Sequence, residues 1–152
     1  MSSTPADCKL CAKIGLRPLT RENVLFYYIP MQSVVSYAAL SVNIMNPTLV
    51  ARLVPKKDIT NVLLLHTLFG VTLYIYSRPH LKAITTGKRA AYSLLGGALF
   101  SMGSVLLWAI VRSGIPKANC VATAAGLASG AVILKLGHDY LEDCDKAASN
   151  KN

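Results

Sequence analysis

The sequence predicts an all-α protein, an integral membrane bundle of four transmembrane helices joined by short loops. Hydrophobic residues make up 53% of the chain and charged residues only 15%, whereas soluble domains contain about 25% charged residues. The charged residues also cluster between four long stretches that contain no Lys, Arg, Asp or Glu. A single domain of 152 residues buries too little of its own surface to cover so much apolar area, so lipid is the expected surrounding.

The four uncharged stretches set the expected spans, at about residues 24–45, 59–77, 90–111 and 118–136. A helix needs about 20 apolar residues to cross the hydrocarbon core, and the second and third stretches satisfy this directly. The fourth is short, but Lys135 is expected to extend it by reaching toward the interface. The first contains Pro30, which either kinks the helix or lies in its first turn, so a three-span alternative stays open.

The distribution of basic residues predicts the orientation. With four spans, segment 1–22, the loop between the second and third spans, and the polar tail 139–152 share one side. Together with Lys135 at the end of the fourth span they contain 11 Lys and Arg residues, and the other two loops contain 5. This bias favours both termini in the cytosol, or in the matrix of a mitochondrion. The net charge of +9 is explained by basic residues that flank the spans, where they set the orientation and contact anionic lipid headgroups. No nucleic-acid partner is therefore expected.

Small residues recur at every fourth position in the last two spans. Residues four apart stack on one helix face, and small side chains there allow two backbones to approach closely. We expect the third and fourth spans to pack against each other through these faces, with a contact to another protein as the alternative. The residues are Ser93, Gly97 and Ser101 in the third span and Ala122, Gly126 and Gly130 in the fourth.

The first two spans contain polar residues within their apolar stretches. Gln32, Ser36 and Asn43 fall on one helix face, which should point into the bundle or toward a partner because an amide facing lipid is costly. Interhelical hydrogen bonds are the favoured interpretation, and a polar pathway is the alternative. His66 is expected to be a packed, hydrogen-bonded histidine, with a haem shared with a partner chain as the alternative.

The sequence gives little support for catalysis. It contains no recognised catalytic or nucleotide-binding motif, and no span carries the Asp or Glu that proton-coupled transport requires. Cys8 and Cys11 form a CxxC pair that, with His138 and Cys144, would make a zinc site of weak spacing. Reduced or palmitoylated cysteines are the favoured interpretation, so no metal or cofactor is predicted.

These features predict a non-enzymatic accessory or assembly subunit of a larger membrane complex. The expected partners are the lipid bilayer and other membrane-protein subunits, in the mitochondrial inner membrane or the endoplasmic reticulum. The alternative is a small transporter or pore with a polar path along the first and second spans. A membrane enzyme or redox protein that uses Cys8 and Cys11 is a third hypothesis.

Overall fold

The computed structural model describes residues 20–53, 59–115 and 119–150, and within these ranges the chain is helical and contains no strand. Four of its helices are long and apolar enough to cross a membrane. This confirms the predicted all-helical class and the four candidate spans. The helices are α1 (Arg21–Met45), α2 (Pro47–Leu53), α3 (Thr60–Ser77), α4 (Thr86–Gly114) and α5 (Asn119–Ser149).

Helix α1 continues through Pro30 and is 25 residues long. Proline lacks an N–H group, and its ring clashes with the carbonyl four residues earlier in a regular α-helix. A π-helical stretch at Val24–Tyr28 directly precedes this region, and such wider turns occur inside α-helices. Pro30 therefore lies inside α1, in the first turn of its regular α-helical part, Ile29–Met45, and α1 has the length of a full span.

Helices α4 and α5 extend beyond the apolar stretches that predict them. Helix α5 continues through most of the polar tail 139–152 and ends at Ser149. An ion pair between Lys146 Nζ and Glu142 Oε1, one turn apart at 2.9 Å, supports this polar part of the helix. The first predicted loop also contains the short helix α2, which Asn46 caps by accepting a hydrogen bond from Leu49 N at 3.3 Å.

Helix α1 occupies the centre of the bundle and contacts α3, α4 and α5. It runs antiparallel to α3, since Ser33 lies against Gly70 and Asn43 Nδ2 donates to Thr60 Oγ1 at 2.7 Å. One end of the bundle holds Asn46, Thr60 and α2, and is called the α2 end. The other, called the terminal end, holds the start of α1, the 78–85 connection and the end of α5.

The buried core is small for the length of the helices. It consists of Tyr37, Leu40, Met45, Trp108 and Ala122. The outer faces of the long helices are instead lined by large apolar side chains, such as Val35, Leu99 and Ile110, whose exposed fractions are 69%, 66% and 68%. A continuous apolar exterior of this kind indicates that the surface meets lipid or protein.

Candidate functional site

The small residues of α5 lie directly against α1. A Cβ added at Gly126 would lie 2.8 Å from Met45 Cγ and 3.3 Å from the Ser41 carbonyl oxygen. A Cβ added at Gly130 would lie 3.4 Å from Trp108 Cζ2 of α4 and 3.5 Å from Tyr37 Cε1. Ala122 on the same face is fully buried. This side of α5 is therefore used for close helix contact within the chain.

The small residues of α4 lie against α3. A Cβ added at Gly97 would overlap the Thr72 hydroxyl and would lie 3.3 Å from the Leu68 carbonyl oxygen. Ser93 and Ser101 on this face are fully buried. The face is therefore occupied by α3 along this part of the bundle.

The expectation that these two faces pack against each other is wrong. Helices α4 and α5 are separated by Trp108, whose Nε1 donates to Ser129 Oγ at 3.2 Å. Its ring is fully buried and lies 4.9 Å, centroid to centroid, from the Tyr37 ring. An indole between two helices prevents the close backbone approach that small residues allow, so each small-residue face meets a different neighbour.

The polar residues predicted to share one face of α1 have different surroundings. Asn43 is buried and bonded to Thr60, Ser36 is half-buried, and Gln32 is exposed on the outer surface. The three residues differ because α1 is closely packed near the α2 end but is less covered toward the terminal end. Gln32 therefore does not point into the bundle, and this part of the expectation is corrected.

His66 is half-buried, and its Nε2 has no hydrogen-bond partner among the described residues. The predicted hydrogen bond is therefore absent at that nitrogen within the described part of the chain. His138 pairs with Tyr74, two turns further along α3, with 3.3 Å between Tyr74 Oη and His138 Nδ1. The two histidines thus lie at different depths of the bundle.

A charged cluster at the terminal end, called the Asp145 clasp, joins α5 to the 78–85 connection. Arg78 Nε lies 3.0 Å from Asp145 Oδ2. The backbone N–H of His80 donates to Asp145 Oδ1 at 3.0 Å, and its ring Nδ1 lies 2.5 Å from the same oxygen. Partial burial disfavours the charged carboxylate, but the His80 hydrogen bonds and the Arg78 charge outweigh it and lower the pKa of Asp145.

The clasp was not among the features predicted from the sequence. His80 and Asp145 are 65 residues apart in sequence, and no local pattern links them. A second contact strengthens the same junction, since the Arg78 guanidinium lies 5.1 Å from the centroid of the Tyr74 ring. Helices α3 and α5 are thus fastened by polar contacts at the terminal end.

Beside the clasp, the four long helices enclose an apolar cleft of about 690 Å³. Its volume falls within the range of about 300 to 1,000 Å³ that is typical of small-molecule sites. Lys135 is the one Lys or Arg among the described residues that line it, and none of these is Asp or Glu. The walls include Pro30, Val34, Val71, Ile75, Phe100 and Leu134. This cleft is the candidate binding site of the protein.

The candidate zinc ligands are only partly described. Cys8 and Cys11 lie outside the described residues, and Cys144 is a half-buried free cysteine of α5. Among residues 20–53, 59–115 and 119–150, no group of three or more His, Cys, Asp or Glu side chains is arranged to hold a metal ion. The predicted cysteine modifications stay predictions.

The chain matches no protein-family model, and it shows no significant similarity to a curated protein in sequence or to a solved structure in fold. Functional inference therefore depends on the geometry of the helices, the cleft and the clasp. Two features of that geometry are relevant: the apolar cleft, which could hold an apolar ligand, and the exposed amide of Gln32 on α1.

Proposed function

We propose that the protein is a non-enzymatic multi-pass membrane protein that acts as an accessory or assembly subunit of a larger membrane complex. In this proposal α1, α3, α4 and α5 cross a bilayer. Their length and apolar composition support insertion, as do the exposed apolar side chains on their outer faces. Small residues hold the bundle together internally, so its outer faces are available to lipid and to partner subunits.

The observation that carries the subunit proposal is the position of Gln32. This amide is exposed on α1 beside Met31, which is 54% exposed. It lies eleven residues after Arg21, about 16 Å along the helix axis at 1.5 Å per residue. An amide that faces hydrocarbon at this depth is costly. Amides in membrane helices commonly bond to a neighbouring helix, so a polar group of a partner subunit would satisfy Gln32.

The proposed location is the mitochondrial inner membrane or the endoplasmic reticulum, with both termini on the matrix or cytosolic side. The start of α1 and the end of α5 lie at the same end of the bundle, which supports a common side for the two termini. The excess of basic residues in the segments of that side supports its assignment as the cytosolic or matrix face.

Native electrophoresis tests the proposal directly. The tagged protein, expressed at its natural level and extracted in a gentle detergent, should migrate in a large complex whose other subunits are identified by mass spectrometry. Gln32→Leu should release a substantial fraction of the protein from that complex. Val35→Leu, an apolar change on the exposed surface of the same helix, is the matched control.

Migration of the unmodified protein as a monomer or a small homo-oligomer would contradict the subunit proposal. Resistance of the protein to alkaline carbonate extraction tests insertion separately. A protein that is released by carbonate is not an integral membrane protein, whatever complex it joins.

The transporter alternative receives less support from the geometry. Gln32 is on the outer surface, whereas Asn43 is buried and bonded to Thr60, so these residues do not line one path. If the purified protein nevertheless conducts a solute in proteoliposomes, Asn43→Leu or His66→Leu should abolish that flux. On the subunit proposal, the same changes should alter only the stability of the complex.

A further inference from the structure

Helix α1 carries a regular seam on the side away from the buried core. Six of its residues recur at alternating intervals of three and four, whereas Pro30 and Tyr37, on the other side of the helix, are buried. This heptad spacing is the one by which two parallel helices pack side by side. The six residues, called the α1 seam, are Leu25, Tyr28, Gln32, Val35, Ala39 and Val42.

The α1 seam lies at the surface of the bundle and apart from the cleft. Gln32, Val35 and Ala39, in the middle of the seam, are exposed, and the exposed fraction of Val35 is 69%. None of the six seam residues lines the cleft. The seam is therefore a second surface, which faces the surroundings of the bundle along α1.

The length and composition of the seam suit a contact between two membrane helices. The distance from Leu25 to Val42 is about 26 Å at 1.5 Å per residue, which covers most of a hydrocarbon core of about 30 Å. Ala39 is small, so a second helix can approach α1 closely toward the α2 end. The seam contains no charged residue, so two copies of it do not repel each other.

Gln32 makes the seam complementary to itself. Copies of one chain share one orientation in a bilayer, so a two-fold axis between two copies runs along the membrane normal and places equivalent residues at the same depth. A glutamine amide both donates and accepts hydrogen bonds, so the Gln32 side chains of two copies can satisfy each other. One polar residue in a heptad seam also fixes the register of the helices. A second copy thus supplies the partner that an amide in hydrocarbon requires.

We propose that the α1 seam is the interface between two copies of this chain, with the Gln32 amides of the two copies hydrogen-bonded to each other. This inference rests on the proposed membrane insertion, and it names the partner of Gln32 in the proposed complex. The apolar seam residues on both sides of Gln32 exclude lipid from the amide pair. The protein therefore enters its complex as a parallel dimer.

Disulfide crosslinking in intact membranes tests the interface. The full-length chain, with its four native cysteines replaced by serine, carries Val35→Cys and is oxidised with copper phenanthroline. Because Val35 lies on the seam, the product should migrate at twice the monomer mass, and mass spectrometry should find only this chain in it. Val34→Cys is the matched control and should stay monomeric, since Val34 is the adjacent exposed valine but lines the cleft.

Co-immunoprecipitation of two differently tagged copies tests the amide pair in the chain with its native cysteines. Gln32→Leu in both copies should lower the recovery of the second copy about five-fold, since interhelical amide hydrogen bonds promote helix association in the membrane. Met31→Leu, an apolar change of the adjacent exposed residue outside the seam, should leave the recovery unchanged. Equal recovery of Gln32→Leu and the unmodified protein would overturn the amide pair.

The result at Val35→Cys also separates this inference from the proposed function. A crosslink to a different protein, the absence of a dimer, or equal dimer yields from Val35→Cys and Val34→Cys would overturn the interface between two copies. A large complex in native electrophoresis would still support the subunit proposal in that case. A disulfide-linked dimer of a protein that migrates only as a dimer would support the interface and contradict the subunit proposal.

Discussion

The two ends of the bundle are held together in different ways. Toward the α2 end, α5 lies directly on α1, with Gly126 against Met45 and Ser41. Toward the terminal end, the four long helices enclose a cleft of about 690 Å³, and the Asp145 clasp joins α5 to the 78–85 connection. The small-residue series of α5 stops at Gly130, and the next position of the series, Leu134, lines the cleft. Close contact therefore ends where the small residues end.

This difference shows that α5 is held in the bundle by two sources of stability, one at each end. Close packing gains dispersion contacts and is insensitive to pH. The clasp depends on the ionised state of Asp145 and is sensitive to pH. Changes at the α2 end should therefore affect the stability of the whole bundle most strongly, and changes at the terminal end should act less strongly and depend on conditions.

The largest effect is expected from Gly126→Leu. A Cβ at this position already comes within 2.8 Å of Met45 Cγ, so a leucine must separate α5 from α1. The free energy of unfolding should fall by about 3 kcal/mol, the upper part of the usual range for overpacking. Reversible unfolding in mixed detergent micelles measures it. Gly103→Leu is the control, because a Cβ at Gly103 meets nothing within 4 Å; equal losses in both variants would contradict the close contact.

A smaller effect is expected from Asp145→Asn, which removes the charge of the clasp. The side chains of Arg78 and Asp145 are 16% and 17% exposed, so the loss should exceed that of a surface pair and reach about 1 kcal/mol. Asp143→Asn is the control, since Asp143 is 78% exposed. An unchanged unfolding free energy for Asp145→Asn would show that the clasp does not stabilise the fold.

The contribution of the clasp should depend on pH in a defined direction. The pKa of Asp145 is lower in the folded protein than its usual value, which is about 3.9 in an unfolded chain. The stabilisation is therefore fully present above that value and is lost as the pH falls through the folded-state pKa. The difference in unfolding free energy between the unmodified protein and Asp145→Asn should shrink below about pH 4, and a constant difference down to the folded-state pKa would contradict this mechanism.

The smallest effect is expected from Tyr37→Phe in the core. Tyr37 Oη donates to Ser104 Oγ at 2.9 Å, and a side-chain hydrogen bond between membrane helices contributes about 0.6 kcal/mol on average. The ring and its packing against Trp108 remain, so only this amount should be lost in the same unfolding measurement. Tyr92→Phe, on an exposed side chain of α4, should change nothing. Interhelical hydrogen bonds in model peptides contribute at most about 2 kcal/mol. A loss above about 2 kcal/mol would therefore show a larger role for the Tyr37 hydroxyl.

Much of the fold was predictable, because apolar length and missing charge depend on local sequence alone. The four long helices follow the uncharged stretches, and only their polar extensions differ. The polar extension of α5 lies beyond the predicted span, and it is supported by side-chain pairs and by the distant contact of Asp145. The π-helical stretch Val24–Tyr28 that precedes Pro30 in α1 was indicated by no sequence pattern.

The candidate site was much less predictable. The sequence predicted that another helix comes close to Gly126 and Gly97. The four-residue spacing does not indicate which helix that is. Gln32 and Asn43 share one helix face in sequence, yet they differ in burial because neighbouring helices cover α1 unequally. The cleft arises from the absence of close contact beyond Gly130, and nothing in a single helix indicates such a gap.

The sequence by itself thus determined four apolar helices, their small-residue faces and the basic bias of one side. These properties follow from hydrogen bonding within each helix and from the cost of placing charges among apolar residues. Only the tertiary structure decided which faces meet. Trp108 lies between α4 and α5, so the small residues of α4 pack against α3 and those of α5 pack against α1. The tertiary structure also decided that Asp145 reaches Arg78 and His80, since contacts between helices depend on their mutual register and not on local spacing.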